Sequence, residues 1–345
     1  MATDQHLADF SQVPVIDIAP LVAGEPGQAE VARQLHQACT ESGFFYVVGH
    51  GVDEALIAQL EKLSREFFAL TKPEKMQISM AQGGRAWRGY FAVGDELTSG
   101  KPDRKEGVYF GAELPDDHPA VIARTPMHGR NLFPTLPGAG GEAFRATVLE
   151  YLAQLTQLGH TLMRGISLSL GLEASYLDDR YTREPLILFR IFNYPYVPQQ
   201  AAAGESSWGV GEHTDYGLLT ILRQDDIGGL QVKSKSRWID APPIPGSFVC
   251  NIGDMLDHMT RGLYRSTPHR VLNRAQHDRL SFPFFFDPNF WAEMRPIDEL
   301  ATQTAVDDRH ERWDRANVHD FRGTYGDYVL NKVAKVFPQL REEVL

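Results

Sequence analysis

The first 170 residues alternate between strand-like and helix-like patterns. "VPVIDIAPLV", residues 13 to 22, alternates apolar and polar positions and predicts a first strand, while "FFYVVGHGV", residues 44 to 52, predicts a buried one. Helical spacing of apolar residues predicts helices over 29–43, 53–71 and 142–170, the last ending before Gly171. These patterns indicate core elements and carry no chemistry.

From about residue 185 the pattern changes to short apolar runs separated by Gly, Pro and Asp. The runs are "LILFRIFNY", "GLLTILRQ", "GLQVKS", "SFVCNIG", "HRVLNR" and "LSFPFFF". Regular short strands with turn residues between them are typical of a sandwich or barrel. The stretches 113–141 and 196–210 are predicted as long loops, which in compact domains often cover a binding site.

Composition restricts the function. A chain of 345 residues, 43% hydrophobic, can bury a core as one large domain or two interlocked ones. The net charge of −11 argues against a nucleic acid or an acidic membrane as partner, which leaves a small-molecule substrate. Without a secretory leader or a bilayer-spanning apolar run, we expect a cytoplasmic protein; its oligomeric state stays open. Cys39 and Cys250 are far apart and predict neither a disulfide framework nor a thiolate zinc site.

Candidate metal ligands stand beside one of the predicted strands. His213 and Asp215 are two residues apart, so in an extended segment both side chains point to one face. One such pair is weak evidence, because a chain with twelve His should contain about one by chance. His269 opens another strand-like run, and Arg279 and Ser281 share one face ten residues later. A third ligand and an anion site therefore occur together, as in an iron site or, alternatively, a zinc hydrolase.

These motifs resemble a known family. "HTD" at 213, "STPHRV" at 266 and "RLS" at 279 are similar to the HxD…H…RxS signature of the Fe(II)/2-oxoglutarate-dependent oxygenases. "VPVIDIAPL" and "ACTESGFFYVVGHGV" resemble the isopenicillin N synthase-like branch, so the similarity covers nearly the whole chain. "GYFAVGDELTSGKPD" and "FFDPNF" look closest to bacterial members, including the ethylene-forming enzyme. Tyr194 stands where that enzyme has Phe, which favours ordinary oxygenation over ethylene formation.

The resemblance implies a mainly β fold with flanking helices around a double-stranded β-helix, or jelly roll. It divides the chain into a framing region 1–130, a long helical segment 131–184, the jelly-roll core 185–290 and a C-terminal helical segment 291–345, expected to form one compact unit.

The resemblance also implies a set of ligands. His213, Asp215 and His269 would bind Fe(II) and leave positions open for 2-oxoglutarate and O2. Arg279, Ser281 and Tyr194 would hold the distal carboxylate of 2-oxoglutarate.

The implied activity is oxidation, most simply hydroxylation, of a small molecule with release of succinate and CO2. The alternatives are a non-catalytic sensor of metal or 2-oxoglutarate and an ethylene-forming type of activity. The presence of every ligand and anchor residue favours the enzyme.

Two charged residues are candidates for contact with the substrate. Strand alternation could point Arg190 into the barrel near Tyr194, although a structural Arg is an equal alternative. Glu96 could contact a cationic substrate, although a solvated turn is the favoured interpretation. The pocket itself depends on segments 83–110, 196–210 and the C-terminal segment, whose shape the periodicity does not predict.

Overall fold

The fold is built from two sheets that enclose a cavity. It is known from a computed structural model that describes residues 9–24, 26–98, 101–136, 140–196, 208–272, 276–301, 307, 309–310, 312 and 315–336. The larger sheet has eight strands, in the order β1 (Val15–Asp17), β2 (Phe44–Val48), β12 (Phe248–Ile252), β9 (Leu219–Gln224), β14 (Arg279–Asp287), β7 (Leu186–Tyr194), β6 (Glu106–Gly111) and β3 (Gly89–Phe91).

The smaller sheet carries part of the site. Its order is β11 (Trp238–Asp240), β10 (Leu230–Lys233), β13 (His269–Leu272) and β8 (Trp208–His213), and a separate ribbon joins β4 (Leu97–Thr98) to β5 (Lys101–Pro102). Side chains from the eight-stranded and the four-stranded sheet line one cavity. They include Arg190 and Phe285 from the eight-stranded sheet and His269 and Leu230 from the four-stranded sheet. The predicted mainly β jelly-roll fold is confirmed.

Helices flank the sheets. They are α1 (Ala19–Ala23), α2 (Gln28–Glu41), α3 (Glu54–Phe68), α4 (Lys72–Lys75), α5 (Met80–Gly83), α6 (Pro119–Ile122), α7 (Gly140–Ser169), α8 (Asp254–Met259) and α9 (Tyr325–Val336). Helix α7 buries the apolar stripe predicted for it, including Val148, Leu155 and Ile166. It approaches β14 so closely that a Cβ on Gly159 would lie 2.2 Å from the Phe286 ring, so only glycine fits there. None of the described helices has both the length and the apolar character needed to cross a bilayer.

Several predicted segments differ from the structure, among them the predicted loop 113–141, which contains α6 and the start of α7. The first strand covers only Val15–Asp17, because Pro20 lies in the first turn of α1 and the chain turns into that helix. Segment 83–110, expected to shape the pocket as loops, contains β3 and most of β6, and β6 pairs with β7 along six residues. The Gly-rich sequence around these short strands conceals their periodicity. Most of the predicted loop 196–210 lies outside the described residues, but its last three residues form the start of β8 instead of a loop.

Candidate active site

Strand pairing brings the three predicted metal ligands together. His213 ends β8 and His269 begins β13, and the two residues are direct partners in the antiparallel register. The Oδ1 atom of Asp215 lies 3.8 Å from Nε2 of His213 and 3.8 Å from Nε2 of His269. One ligand atom from each residue falls within 4.8 Å of the others, which is the spacing of donors around a single ion.

Hydrogen bonds orient each donor atom. Nδ1 of His213 donates to the Gly211 carbonyl at 2.9 Å, and Nδ1 of His269 donates to the Thr267 carbonyl at 3.2 Å. Both imidazoles therefore keep their proton on Nδ1 and present Nε2 as a lone-pair donor.

The carboxylate is fixed in the same way. Oδ2 of Asp215 accepts from the Thr220 hydroxyl at 2.5 Å and from the Asn251 amide at 2.7 Å, so Oδ1 faces the two imidazoles. Thr220 and Asn251 lie on β9 and β12 and are direct partners in that register. The sequence patterns did not single out either residue.

The electrostatics suit a divalent cation. Burial, together with the nearby His213 imidazole, lowers the pKa of His269 to about 4, and burial lowers the pKa of His213 as well. Burial opposes ionisation of Asp215, but the two imidazoles and the bonds from Asn251 and Thr220 lower its pKa overall. At neutral pH the site offers two neutral imidazoles and one carboxylate. This donor set suits Fe(II) and leaves coordination positions open.

A buried guanidinium lies at the end of β14. Arg279 is 0% exposed and faces Tyr194 across the β14–β7 pairing. Its Nε donates to the Gly228 carbonyl at 2.5 Å and its Nη2 to Gln224 at 3.4 Å, whereas Nη1 has no hydrogen-bond partner among the described residues. Ser281 is two residues along the same face and lines the cavity. A buried, incompletely paired guanidinium beside a hydroxyl fits a carboxylate such as the distal one of 2-oxoglutarate.

Arg190 lies in the wall of the cavity, between two aromatic rings. Its guanidinium carbon is 4.4 Å from the centre of the Tyr109 ring and 4.7 Å from that of Phe285. Nη1 is 3.7 Å from a carboxylate oxygen of Glu96. The charge is therefore held in the cavity by stacking and by a nearby acid.

Glu96 does not lie in a solvated turn, and that favoured interpretation was wrong. The residue is 4% exposed and accepts a hydrogen bond from the Tyr109 hydroxyl at 2.8 Å. The Lys105 ammonium lies 2.8 Å from its other oxygen, and Lys105 also pairs with Asp103. Cations that are distant in sequence allow the carboxylate to be buried, so its local turn-like sequence was misleading.

The cavity also contains an acidic residue that the sequence patterns did not single out. Asp287 continues the inward face of β14 beyond Ser281, Pro283 and Phe285, and all four residues line the cavity. The Tyr325 hydroxyl of α9 donates to its Oδ2 at 2.6 Å. Burial raises the pKa of Asp287 to about 7. Counting every second residue along "RLSFPFFFD" could have revealed it.

Comparison with known proteins agrees with this geometry. Residues 13–136 match the family described as non-haem dioxygenase in morphine synthesis N-terminal, and residues 184–288 match the 2OG-Fe(II) oxygenase superfamily. A probable iron/ascorbate oxidoreductase of Dictyostelium discoideum is 53% identical, covering 97% of this chain and 98% of its own. The chain belongs to the 2OG-Fe(II) oxygenase superfamily.

Further relatives of this oxygenase are named for their activities or ligands. A 1-aminocyclopropane-1-carboxylate oxidase of Dictyostelium discoideum is 40% identical over 96% of both chains. A homoarginine-6-hydroxylase of Glycine max is 38% identical, covering 96% of this chain and 99% of its own. The crystal structure of a full-length Neurospora crassa protein in complex with alpha-KG and thymine aligns with a TM-score of 0.78 at 26% identity, covering 96% of this chain and 99% of that one.

The protein is therefore an oxidoreductase that uses iron and 2-oxoglutarate and oxygenates a small substrate. The family excludes the zinc hydrolase that the triad alone left open. When bound, Fe(II) and 2-oxoglutarate together supply the oxidation, with release of succinate and CO2.

Proposed function

We propose that this oxygenase hydroxylates a small amino acid, with His213, Asp215 and His269 as the iron ligands. The arrangement around the cavity is the observation that carries the proposal. The triad and the charged wall at Arg190 line one cavity of about 110 Å³, and the incompletely paired Arg279 lies on the same face of β14 as the lining residue Ser281. The 1-aminocyclopropane-1-carboxylate and homoarginine in the relatives' names are both amino acids, which supports this substrate class.

Each charged side chain has a proposed role. Arg279, Ser281 and Tyr194 bind the distal carboxylate of 2-oxoglutarate, with the Arg279 fork as the main contact. Arg190 binds the carboxylate of the substrate, because its stacking on two rings leaves the guanidinium only partly neutralised. Glu96 holds Arg190 and Lys105 in position, because both of its oxygens already lie near donors.

The apolar lining completes the site. Leu97, Val329 and Val333 line the cavity together with the charged residues. Such a lining excludes water and holds the substrate C–H bond near the iron, which is what the protein contributes to the reaction.

Finer aspects of the proposal rest on sequence and composition. Residues 13–136 match a dioxygenase N-terminal family, which supports membership of the isopenicillin N synthase-like branch. The proposed likeness to its bacterial members rests on the sequence motifs alone. The net charge of −11 supports the proposal that no nucleic acid is a partner. Cys39 and Cys250 are buried free thiols, which supports a reducing compartment such as the cytoplasm.

A substrate screen tests the proposed function. Enzyme loaded with Fe(II) and 2-oxoglutarate is exposed to O2 with a panel of amino acids, and succinate and product mass are read together. We expect one panel member to gain one oxygen atom for each succinate released, and Asp215→Ala to release none. Succinate release with thymine or another molecule that is not an amino acid, and with no amino acid, would contradict the substrate class. Ethylene as the main product would favour the alternative activity.

A further inference from the structure

Asp287 is a buried carboxyl group that no cation of the described residues pairs with. It is 2% exposed, and no ion pair joins it to a described residue. Its Oδ2 accepts a hydrogen bond from the Tyr325 hydroxyl, and the backbone amide of Leu218 lies close enough to lower the pKa of the carboxyl group. Oδ1 accepts no hydrogen bond of ordinary geometry from the described residues. A buried carboxyl group without a cationic partner is costly to ionise unless something else pairs with it.

The position of Asp287 suggests what that partner is. Arg279 and Ser281 begin the inward face of β14 and Asp287 ends it, so the carboxyl group lies at the end of the cavity away from the 2-oxoglutarate anchor. Arg190 and Tyr216 line the same cavity, and Arg190 is close enough to lower the pKa of Asp287 without forming an ion pair. This part of the cavity therefore offers one guanidinium and one carboxyl group to a molecule lying between them.

We propose that Asp287 determines specificity by binding a cationic nitrogen of the substrate, and that Tyr325 fixes the carboxyl group for this contact. The inference rests on the proposed function, because it assumes an amino acid whose carboxylate lies at Arg190. The cation is either the α-ammonium group or a charged side chain. Both present N–H donors to a carboxylate, and the experiment separates them.

A supporting role in the backbone is the competing explanation. A Cβ on Gly217 would lie 1.5 Å from Oδ1 of Asp287, so the carboxyl group packs directly against the loop that follows Asp215. If Asp287 only supports this loop, its replacement should weaken the binding of charged and uncharged ligands alike. If Asp287 instead recognises a cation, its replacement should change the ratio of the affinities for charged and uncharged ligands.

The test is calorimetric titration of the enzyme loaded anaerobically with Fe(II) and 2-oxoglutarate. The ligands are L-homoarginine, L-homocitrulline, which has a urea in place of the guanidinium, and des-amino homoarginine, which lacks the α-ammonium group. Butylguanidinium and butylurea form a further pair that needs no amino acid. The variants are Asp287→Asn and Tyr325→Phe, with Asp240→Asn on the exposed side of β11 as the matched control.

We expect the wild type to bind homoarginine more tightly than one of its two analogues. Weaker binding of homocitrulline would identify the guanidinium as the group that Asp287 binds, and weaker binding of des-amino homoarginine would identify the α-ammonium group. Asp287→Asn should reduce the preference by at least about ten-fold, because a hydrogen-bonded charge contact is lost. Tyr325→Phe should reduce it by less, and Asp240→Asn should leave it unchanged.

Two results would overturn the inference. One is that Asp287→Asn keeps the wild-type preference for the charged ligand over the uncharged one, which includes the case in which it binds every ligand more weakly by the same factor. The other is a wild type that never favours the charged member of a pair. If the amino acids fail to bind but butylguanidinium is preferred over butylurea, and Asp287→Asn loses this preference, the proposed substrate class fails while the role of Asp287 stands.

Discussion

The metal ligands owe their orientation to residues that never touch the ion. Two carbonyl groups set the tautomers of His213 and His269, and two side chains turn one oxygen of Asp215 toward them. Without these bonds the same three residues would sample rotamers that do not converge on one point. Affinity for iron should therefore depend on these outer residues as well as on the ligands.

Replacing Asn251 with Ala should weaken iron binding. The variant loses the amide that holds Oδ2 of Asp215, so the carboxylate becomes freer to turn. We expect the dissociation constant for Fe(II) to rise about 10- to 100-fold, measured by anaerobic titration. Asn131→Ala is the control, since this buried amide bonds to Gly111 in the framing region. An equal loss in both variants would indicate general destabilisation instead.

Replacing Arg279 with Leu should act on the cosubstrate alone. The guanidinium is buried, and no described residue accepts a hydrogen bond from its Nη1, which can therefore bind a carboxylate. Removing one partner of a buried charged pair costs about 2–5 kcal/mol, so 2-oxoglutarate binding should weaken by roughly 30-fold to a few thousand-fold. Iron loading should stay nearly constant. The measurement is anaerobic titration of 2-oxoglutarate into the Fe(II)-loaded protein, followed by its charge-transfer band, and equal midpoints would refute the anchor.

At the level of elements, periodicity predicted the long strands of the jelly roll, but it missed β8, which carries His213, and the short strands that frame the site. β7, β9 and β14 are long and apolar, and their register follows from one buried face. β3 and β6 lie among Gly, Pro and charged residues and escaped prediction. Glu96 shows the same limit for the site, because the burial of its charge depends on Lys105 and Arg190, which lie outside its own turn.

Helix α9 joins the active site to a buried charge cluster. Val329 and Val333 line the cavity, while Tyr328 and Lys332 of the same helix contact Asp254 of α8 at 2.8 and 3.5 Å. Arg312 bridges Asp254 and Asp257 at 2.7 and 3.0 Å. The amide of Asp254 in turn donates to the backbone carbonyl of Asp215. This cluster therefore fixes the position of α9 relative to the metal ligands.

Replacing Arg312 with Met should destabilise this arrangement. Two buried carboxylates would lose their main cation, so we expect the free energy of unfolding to fall by about 3–5 kcal/mol, measured by urea denaturation. The Michaelis constant for the substrate should rise because α9 lines the cavity, while 2-oxoglutarate binding at the other end should change little. Adding Asp257→Asn should restore part of the stability. A loss below about 1 kcal/mol would mean that the cluster behaves like a surface ion pair.

At the scale of the whole molecule, the N-terminal region is part of the sheet that builds the site. β1, β2, β3 and β6 all come from residues 1–130 and belong to the eight-stranded sheet with β7 and β14. β2 pairs directly with β12, which carries Asn251. The four segments are therefore divisions of the sequence and do not correspond to separate sheets. That they fold as one compact unit stays a prediction.

Acid should destabilise the whole protein partly through His258, a buried residue outside the site. Burial, helped by the neighbouring His319, lowers the pKa of His258 from 6.5 to about 4. Between pH 6.5 and pH 4, His258 is therefore protonated in the unfolded chain but neutral in the folded protein. The free energy of unfolding consequently decreases as the pH falls through this range. The full effect on the free energy of unfolding is about 3 kcal/mol, because a tenfold change in proton affinity corresponds to about 1.4 kcal/mol.

The variant His258→Leu isolates this contribution from that of the metal-site imidazoles, which titrate in both proteins. The free energy of unfolding of the metal-free wild type and of the variant is measured in urea from pH 8 to pH 4. We expect the wild-type curve to fall more steeply by up to about 3 kcal/mol, with the two curves parallel above pH 7 where His258 is neutral in both states. Parallel curves over the whole range would mean that His258 is free to take up its proton in the folded protein, and that acid acts through the other buried groups.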